Sequence, residues 1–286
     1  MDNKLDIRKI VSFLALAFII SWVIGAILYI LGIGLDTLSG SILVLLYMWG
    51  PAIAGILILL FYTERRFLPQ FKEYLGFSGS KFNINWALLA WLIPLPILFI
   101  MLGIGVLVPD IGFDAGMKEM SLSIVQLLIA GLTINALGAF GEEFGWRAVL
   151  LDELSTLGFW KVSVLIGAIW GIWHSPLILW GYYFPGNTAL GLLVMITFTI
   201  AFAHVFTYFT VRSESVIASS FLHGSFNSLA PLAFVFLTGA GELVIGPDGL
   251  IGIAAIIIIL VFFCLLHDMF IAEESITTGR PLNIWS

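Results

Sequence analysis

Apolar residues run along this chain in long blocks separated by short polar connections. A helix needs about 20 mostly apolar residues to cross the hydrocarbon core of a bilayer. Eight stretches qualify, roughly 10–32, 42–62, 85–108, 122–150, 160–181, 188–210, 214–238 and 249–267. The fourth and seventh are the least purely apolar. The pattern predicts an all-α membrane protein, a bundle of eight transmembrane helices with an internal polar cavity. No internal repeat, low-complexity linker or second domain interrupts it, so residues 1–286 are read as a single transmembrane bundle.

Composition agrees with the blocks. Of 286 residues 60% are hydrophobic and 10% charged, with a mean hydropathy of +1.10, whereas a soluble domain carries about 25% charged residues. The first apolar run, Ile10 to about Leu31, is too long for the core of a signal peptide and has no small-residue cleavage site. It is read as a retained first span. The single cysteine, Cys264, forms no internal disulfide framework and no cysteine-rich metal cluster.

Charge sets the expected orientation. The net charge is −6 and no basic patch stands out, which excludes nucleic acid as an expected partner. With eight spans both termini share one side, and on that side fall Lys4, Arg8, Lys9, Arg65, Arg66, Lys72, Lys81, Lys161, Arg212 and Arg280. The other side has Lys118, and Arg147 lies within a span. The positive-inside rule then makes both termini cytoplasmic, in the cell (plasma or inner) membrane with lipids as partners. The longest polar connection, about Thr63 to Asn85, reads as a solvated interfacial loop, and the outer one from Pro109 to Glu119 is acidic. Trp22, Trp49, Trp86, Trp91, Trp160 and Trp180 read mostly as lipid-facing or interfacial.

Several spans hold residues that hydrophobic matching does not require. An ionisable group at the bilayer centre costs roughly 2.5–3.5 kcal/mol on insertion scales, so such groups are functional candidates. The fourth span contains Glu142, Glu143 and Arg147, the fifth His174, and the seventh His223 and Asn227. Glu142 and Glu143 point about 100° apart on a helix. Glu143 and Arg147, four apart with the acid first, pair along one face, leaving Glu142 to face a cavity. Gly138, Gly141 and Gly145 let other helices approach closely. His223 and Asn227 are also four apart, as are Trp170 and His174. Pro176, two residues past His174, kinks the helix beside the site. Counting about 1.5 Å per residue, Glu142, His174 and His223 lie at depths compatible with one chamber opening toward the cytoplasm.

Amide hydrolysis needs a base to activate water, a stabiliser for the oxyanion and an acid for the leaving amine. A carboxyl group held away from water takes up protons more readily, which suits a general base. Two imidazoles and an amide can orient water and donate to developing charge. One Glu and two His (Glu142, His174, His223) are equally the ligand set of a catalytic zinc or other divalent metal. The residues leave both chemistries open.

Glu142-Glu143-x-x-x-Arg147, Trp170-x-x-x-His174 and His223-x-x-x-Asn227, in this order within GEEFGWR, WGIWHSP and FLHGSFN, resemble the signature of the CAAX-prenyl-protease and bacteriocin-processing (CPBP) family of intramembrane proteases. The resemblance covers about residues 125–235. It implies an eight-helix fold with a cavity open to cytosol and membrane, and endopeptidase activity on a membrane-associated or lipidated peptide or protein. In that family's terms Glu142 activates water, His174 positions it, His223 with Asn227 holds the oxyanion, and Glu143 and Arg147 support them. Family members are commonly labelled metalloproteases, yet a metal-free glutamate mechanism has also been described. The family's second motif usually begins with phenylalanine; here it is Trp170, which implies an altered cavity shape.

Plainer readings stand beside these. Glu142, Glu143 and Arg147 could be an ion-pair network locking one helix, although one guanidinium satisfies only part of two carboxylates' demand. His204 has no spaced partner and reads as structural; His267 beside Asp268 reads as interfacial. As functions, a non-catalytic immunity or sequestration protein on the same scaffold is the alternative to the protease. A proton relay or transporter is disfavoured by the lack of repeats and of matched interrupted helices.

Overall fold

The computed structural model describes residues 5–35, 37–62, 67–77, 82–113, 117–266 and 269, with the backbone only for 117–122. Lys4, Arg65, Arg66, Lys81, His267, Asp268 and Arg280 lie outside the described residues. The helices are α1 (Ile7–Ile30), α2 (Leu38–Tyr62), α3 (Phe67–Tyr74), α4 (Ile84–Leu92), α5 (Pro94–Leu107), α6 (Met117–Leu132), α7 (Ile134–Glu143) and α8 (Leu151–Leu154), then α9 (Phe159–Trp173), α10 (Ser175–Leu179), α11 (Thr188–Ser213), α12 (Val216–Leu229), α13 (Leu232–Phe236), α14 (Glu242–Ile245) and α15 (Leu250–Leu265). A π-helical stretch, Phe144–Leu150, joins α7 to α8. Two short strands, β1 (Gly112–Phe113) and β2 (Leu237–Thr238), pair antiparallel.

Five helices are long and apolar enough to cross a membrane: 7–30, 38–62, 84–107, 188–213 and 242–265. A sixth crossing arises if 123–132 and 134–157 count as one span bent by 46° at Thr133. These make the chain a multi-pass membrane protein, but the count of eight full spans is not reached. The expected fifth span stops after 15 residues and the expected seventh after 14. The reason is proline. Pro176 has no N–H to continue the ladder and clashes with the preceding turn, so α9 ends at Trp173 and a short α10 begins after it. Pro231 likewise follows the end of α12 and opens α13.

The outward surface is apolar, with Ile19, Phe61, Phe99, Leu193 and Phe262 all exposed. The tryptophans do more than face lipid. Trp22, Trp49 and Trp91 donate their indole N–H groups to the carbonyls of Trp173, Leu137 and Leu128, each on another helix. Unmet carbonyls in lipid are costly, so these bonds tie helices together.

The bundle has two distinct ends. At one, the Lys9 end, Lys9 pairs with Glu153. There Tyr74 donates to Asp152 Oδ2 at 2.8 Å, Ser215 Oγ donates to the Leu75 carbonyl at 2.9 Å, and Asn83 N–H to the Ser213 carbonyl at 2.9 Å. The stretch expected to be a solvated loop thus carries α3, whose Tyr74 is fully buried and whose Phe71 lies 5.3 Å from the Phe144 ring. Burial, with Asp152 beside it, holds the Tyr74 hydroxyl well above its ordinary pKa, so it stays a donor. At the opposite, Asp248 end, Phe184 N–H donates to Glu242 Oε2 at 2.8 Å, Trp180 stacks on Tyr29, and β1 pairs with β2.

Candidate active site

The first motif lies where α7 passes into the π-helical stretch, and every residue from Gly141 to Leu150 is buried. π-turns are rare and often sit at functional sites. Gly145 packs on α2, where a Cβ would stand 2.4 Å from that of Pro51; Gly141 meets Trp49 in the same way, whereas Gly138 makes only ordinary contacts.

Glu143 and Arg147 pair as their spacing predicts, Nη1 to Oε1 at 3.1 Å, both side chains fully buried. The same Oε1 also accepts from His223 Nδ1 at 2.7 Å, a link between α7 and α12 that spacing alone does not reveal. The Arg147 guanidinium lies between the Trp170 and Phe206 rings, 4.5 and 4.4 Å from their centroids. Stacking of this kind holds a cation in a desolvated place. Among the described residues Arg147 Nε and Nη2 have no hydrogen-bond partner, so the rings and Glu143 are its anchorage.

Glu142 is 3% exposed and lines a cavity of about 100 Å³ together with His174, His223 and Asn227. Its carboxylate is not wholly free: Oε2 accepts the Trp170 indole N–H at 2.7 Å. Trp170 is more than a shape-filling aromatic. Its carbonyl accepts from His174 Nδ1 at 2.8 Å, and its ring lies 5.5 Å from that of His223.

These bonds fix both imidazoles. A carbonyl and a carboxylate only accept, so Nδ1 carries the proton in His174 and in His223, leaving Nε2 as the atom available to the cavity. His174 sits at the break between α9 and α10 made by Pro176. Asn227 is solvent-accessible at the cavity's rim. Glu143 and Arg147 do not line the cavity; Glu143 is joined to it by its bond to His223, and Arg147 is bonded to Glu143.

Of the lining residues with ionisable side chains, three escaped the sequence reading: Tyr47, Tyr183 and Asp248. Tyr47 donates to the Trp173 carbonyl at 2.7 Å. Tyr183 is kept protonated by burial and by the nearby Asp248 and Glu142 carboxylates. His204 lies apart, its Nδ1 on the Ile200 carbonyl at 2.8 Å and its ring against Phe159 and Trp160.

A divalent metal at Glu142, His174 and His223 would need all three to converge. Among the described residues no three His, Cys, Asp or Glu side chains form a group able to hold a metal ion, and one Glu142 oxygen is taken by an indole.

A polytopic helical membrane protein with an internal carboxylate, two imidazoles and an amide around one cavity is the class this geometry defines. Residues 124–229 match the family model described as Type II CAAX prenyl endopeptidase Rce1-like. A stretch of 48 residues is 44% identical to CAAX prenyl protease 2 of Methanococcus maripaludis, covering 16% of this chain and 18% of that protein. The match thus spans under a fifth of that relative's length. Over the segment that bears all three motifs, the chain is similar to the CAAX prenyl endopeptidases.

Proposed function

We propose that this protein is an intramembrane endopeptidase that hydrolyses a peptide bond in a membrane-associated or lipidated peptide or protein. The observation that carries the proposal is that Glu142, His174, His223 and Asn227, from three separate helical segments, line one cavity. The family match over 124–229 supports it.

Glu142 takes a proton from a water molecule whose other hydrogen is accepted by His174 Nε2. The resulting hydroxide adds to the scissile carbonyl carbon. The oxyanion receives the Asn227 amide N–H and, from His223 as an imidazolium, the Nε2–H, while Glu143 balances that ring's charge through Nδ1. On collapse the C–N bond breaks and Glu142 returns its proton to the leaving amine, regenerating the carboxylate. Arg147 holds Glu143. No step passes through a metal.

The bundle crosses the bilayer eight times in this reading, the short α9 and α12 being completed by α10 and α13, with both termini cytoplasmic. Purified protein with a lipidated fluorogenic peptide tests the activity. Glu142→Gln is expected to abolish turnover with folding and insertion intact; turnover at the wild-type rate by that variant would remove Glu142 as the base.

A further inference from the structure

The catalytic cavity and the chain's positive charge lie at opposite ends of the bundle. Val44, Tyr47 and Met48 line the cavity from the first half of α2, and Met195 and Phe198 from the first half of α11; both helices start at the Asp248 end. α9 runs the other way and contributes Trp170, Trp173 and His174 from its finish. Tyr183 and Asp248 come from that end's loops. No lining residue lies in α3, α8 or the turn at 213–215, which close the Lys9 end.

A second cavity, of about 170 Å³, continues in the same direction. Tyr183 and Asp248 line both, and Glu242, Phe234 and Gly246 carry the second one outward. Only the shared walls of Tyr183 and Asp248 stand between the second cavity and the one that holds Glu142.

Arg8, Lys9, Lys72, Lys161 and Arg212 belong to the Lys9 end, and Lys4, Arg65, Arg66 and Lys81 flank α1 or α3 in sequence. The Asp248 end has Lys118 in the first turn of α6, with Asp110, Glu242 and Asp248 among its acids. Lys and Arg beside membrane spans stay on the cytoplasmic side. Cytoplasmic termini and a chamber opening toward the cytoplasm, both expected from sequence, are therefore incompatible in this fold: depth along single helices was compatible with a cytoplasmic opening, but the packing of α3, α8 and the turn at 213–215 closes that end.

We propose that the cavity opens on the non-cytoplasmic face, and that the substrate is a membrane-anchored peptide presented from that face. The word substrate rests on the protease reading above; the sidedness rests on cavity and charge alone. A protein lipidated on the cytoplasmic side would meet the closed end of the bundle.

The test uses full-length protein in its native membrane, with Cys264→Ser and one new cysteine: Asn187→Cys or Asp248→Cys for the Asp248 end, Lys72→Cys for the Lys9 end. A membrane-impermeant maleimide on intact cells is expected to label positions 187 and 248 at least tenfold more than position 72, which reacts only after lysis. The reverse pattern overturns the proposal whether or not the protein cleaves anything. Tyr183→Cys replaces Asp248→Cys if that variant fails to accumulate. In a second arm a lipid-anchored fluorogenic peptide is added to intact cells, with Glu142→Gln cells as the blank. Cleavage in detergent but not by intact cells overturns outward presentation. Absence of cleavage in both, with the expected labelling, overturns the protease reading and leaves the sidedness standing.

Discussion

The Trp170 indole N–H donates to Glu142 Oε2 across 2.7 Å, joining the helices that bear the second and first motifs. A phenylalanine, usual at this place in the family the motifs resemble, has no such donor. The bond holds the carboxylate in one rotamer and leaves Oε1 for water. A hydrogen bond to a charged group contributes about 1.5–3 kcal/mol, so Trp170→Phe is expected to lower kcat about tenfold to a hundredfold with KM nearly unchanged. Steady-state kinetics on the lipidated peptide check this; an unaltered kcat would show that the indole only fills space.

Glu142 and Glu143 are neighbours with different duties, and stability separates them. Glu143→Gln leaves the Arg147 guanidinium buried without its anion, a loss of about 3–5 kcal/mol for a broken buried pair, and it removes the negative charge beside the His223 ring. Glu142→Gln keeps a side-chain carbonyl for the Trp170 donor. Thermal unfolding in detergent should therefore fall sharply for Glu143→Gln and hardly at all for Glu142→Gln, while both lose turnover.

Gly145 seats the motif helix on Pro51. A methyl group there would press on the Pro51 Cβ and on its carbonyl carbon and oxygen at 2.8 Å, none of which belongs to a flexible chain end. Overpacking of this kind costs about 1–3 kcal/mol. Gly145→Ala should lower the unfolding temperature and weaken activity, measured by scanning fluorimetry and by turnover at saturating peptide.

Among the described residues no three His, Cys, Asp or Glu side chains form a metal-binding group, so in the carboxylate mechanism proposed above chelation is expected to leave the rate within about twofold. Turnover of purified protein after dialysis against a strong chelator, with and without added zinc, decides it. Loss on chelation restored by zinc would replace the carboxylate mechanism with a metal one.

Much of the site is legible in the sequence because ionisable groups inside apolar runs have no other reason to be there. The i,i+4 spacing gave the Glu143–Arg147 pair directly, and the three motifs lie on three helical segments around one cavity. Spacing within one helix cannot report contacts between helices. Hence the second bond of Glu143, to His223, and the Trp170–Glu142 bond appear only in three dimensions. Tyr183 and Asp248 were invisible for another reason: they lie in short loops, where polar residues are ordinary. Eight unbroken spans are not reached because prolines cut apolar runs into pieces, at Pro176 and Pro231, and because the chain bends at Thr133 between α6 and α7. Hydropathy alone registers none of these breaks.

The seven-residue π stretch after Glu143 is wound more loosely than the turns before and after it. Were the same seven residues wound as ordinary α-helix, the segment would turn further about its axis. The carboxylates would then swing by roughly 100° relative to Asp152, whose bond to Tyr74 moors this rod at the Lys9 end. The loose winding thus serves as a phase adjuster, letting one rod satisfy its mooring and its chemistry at once.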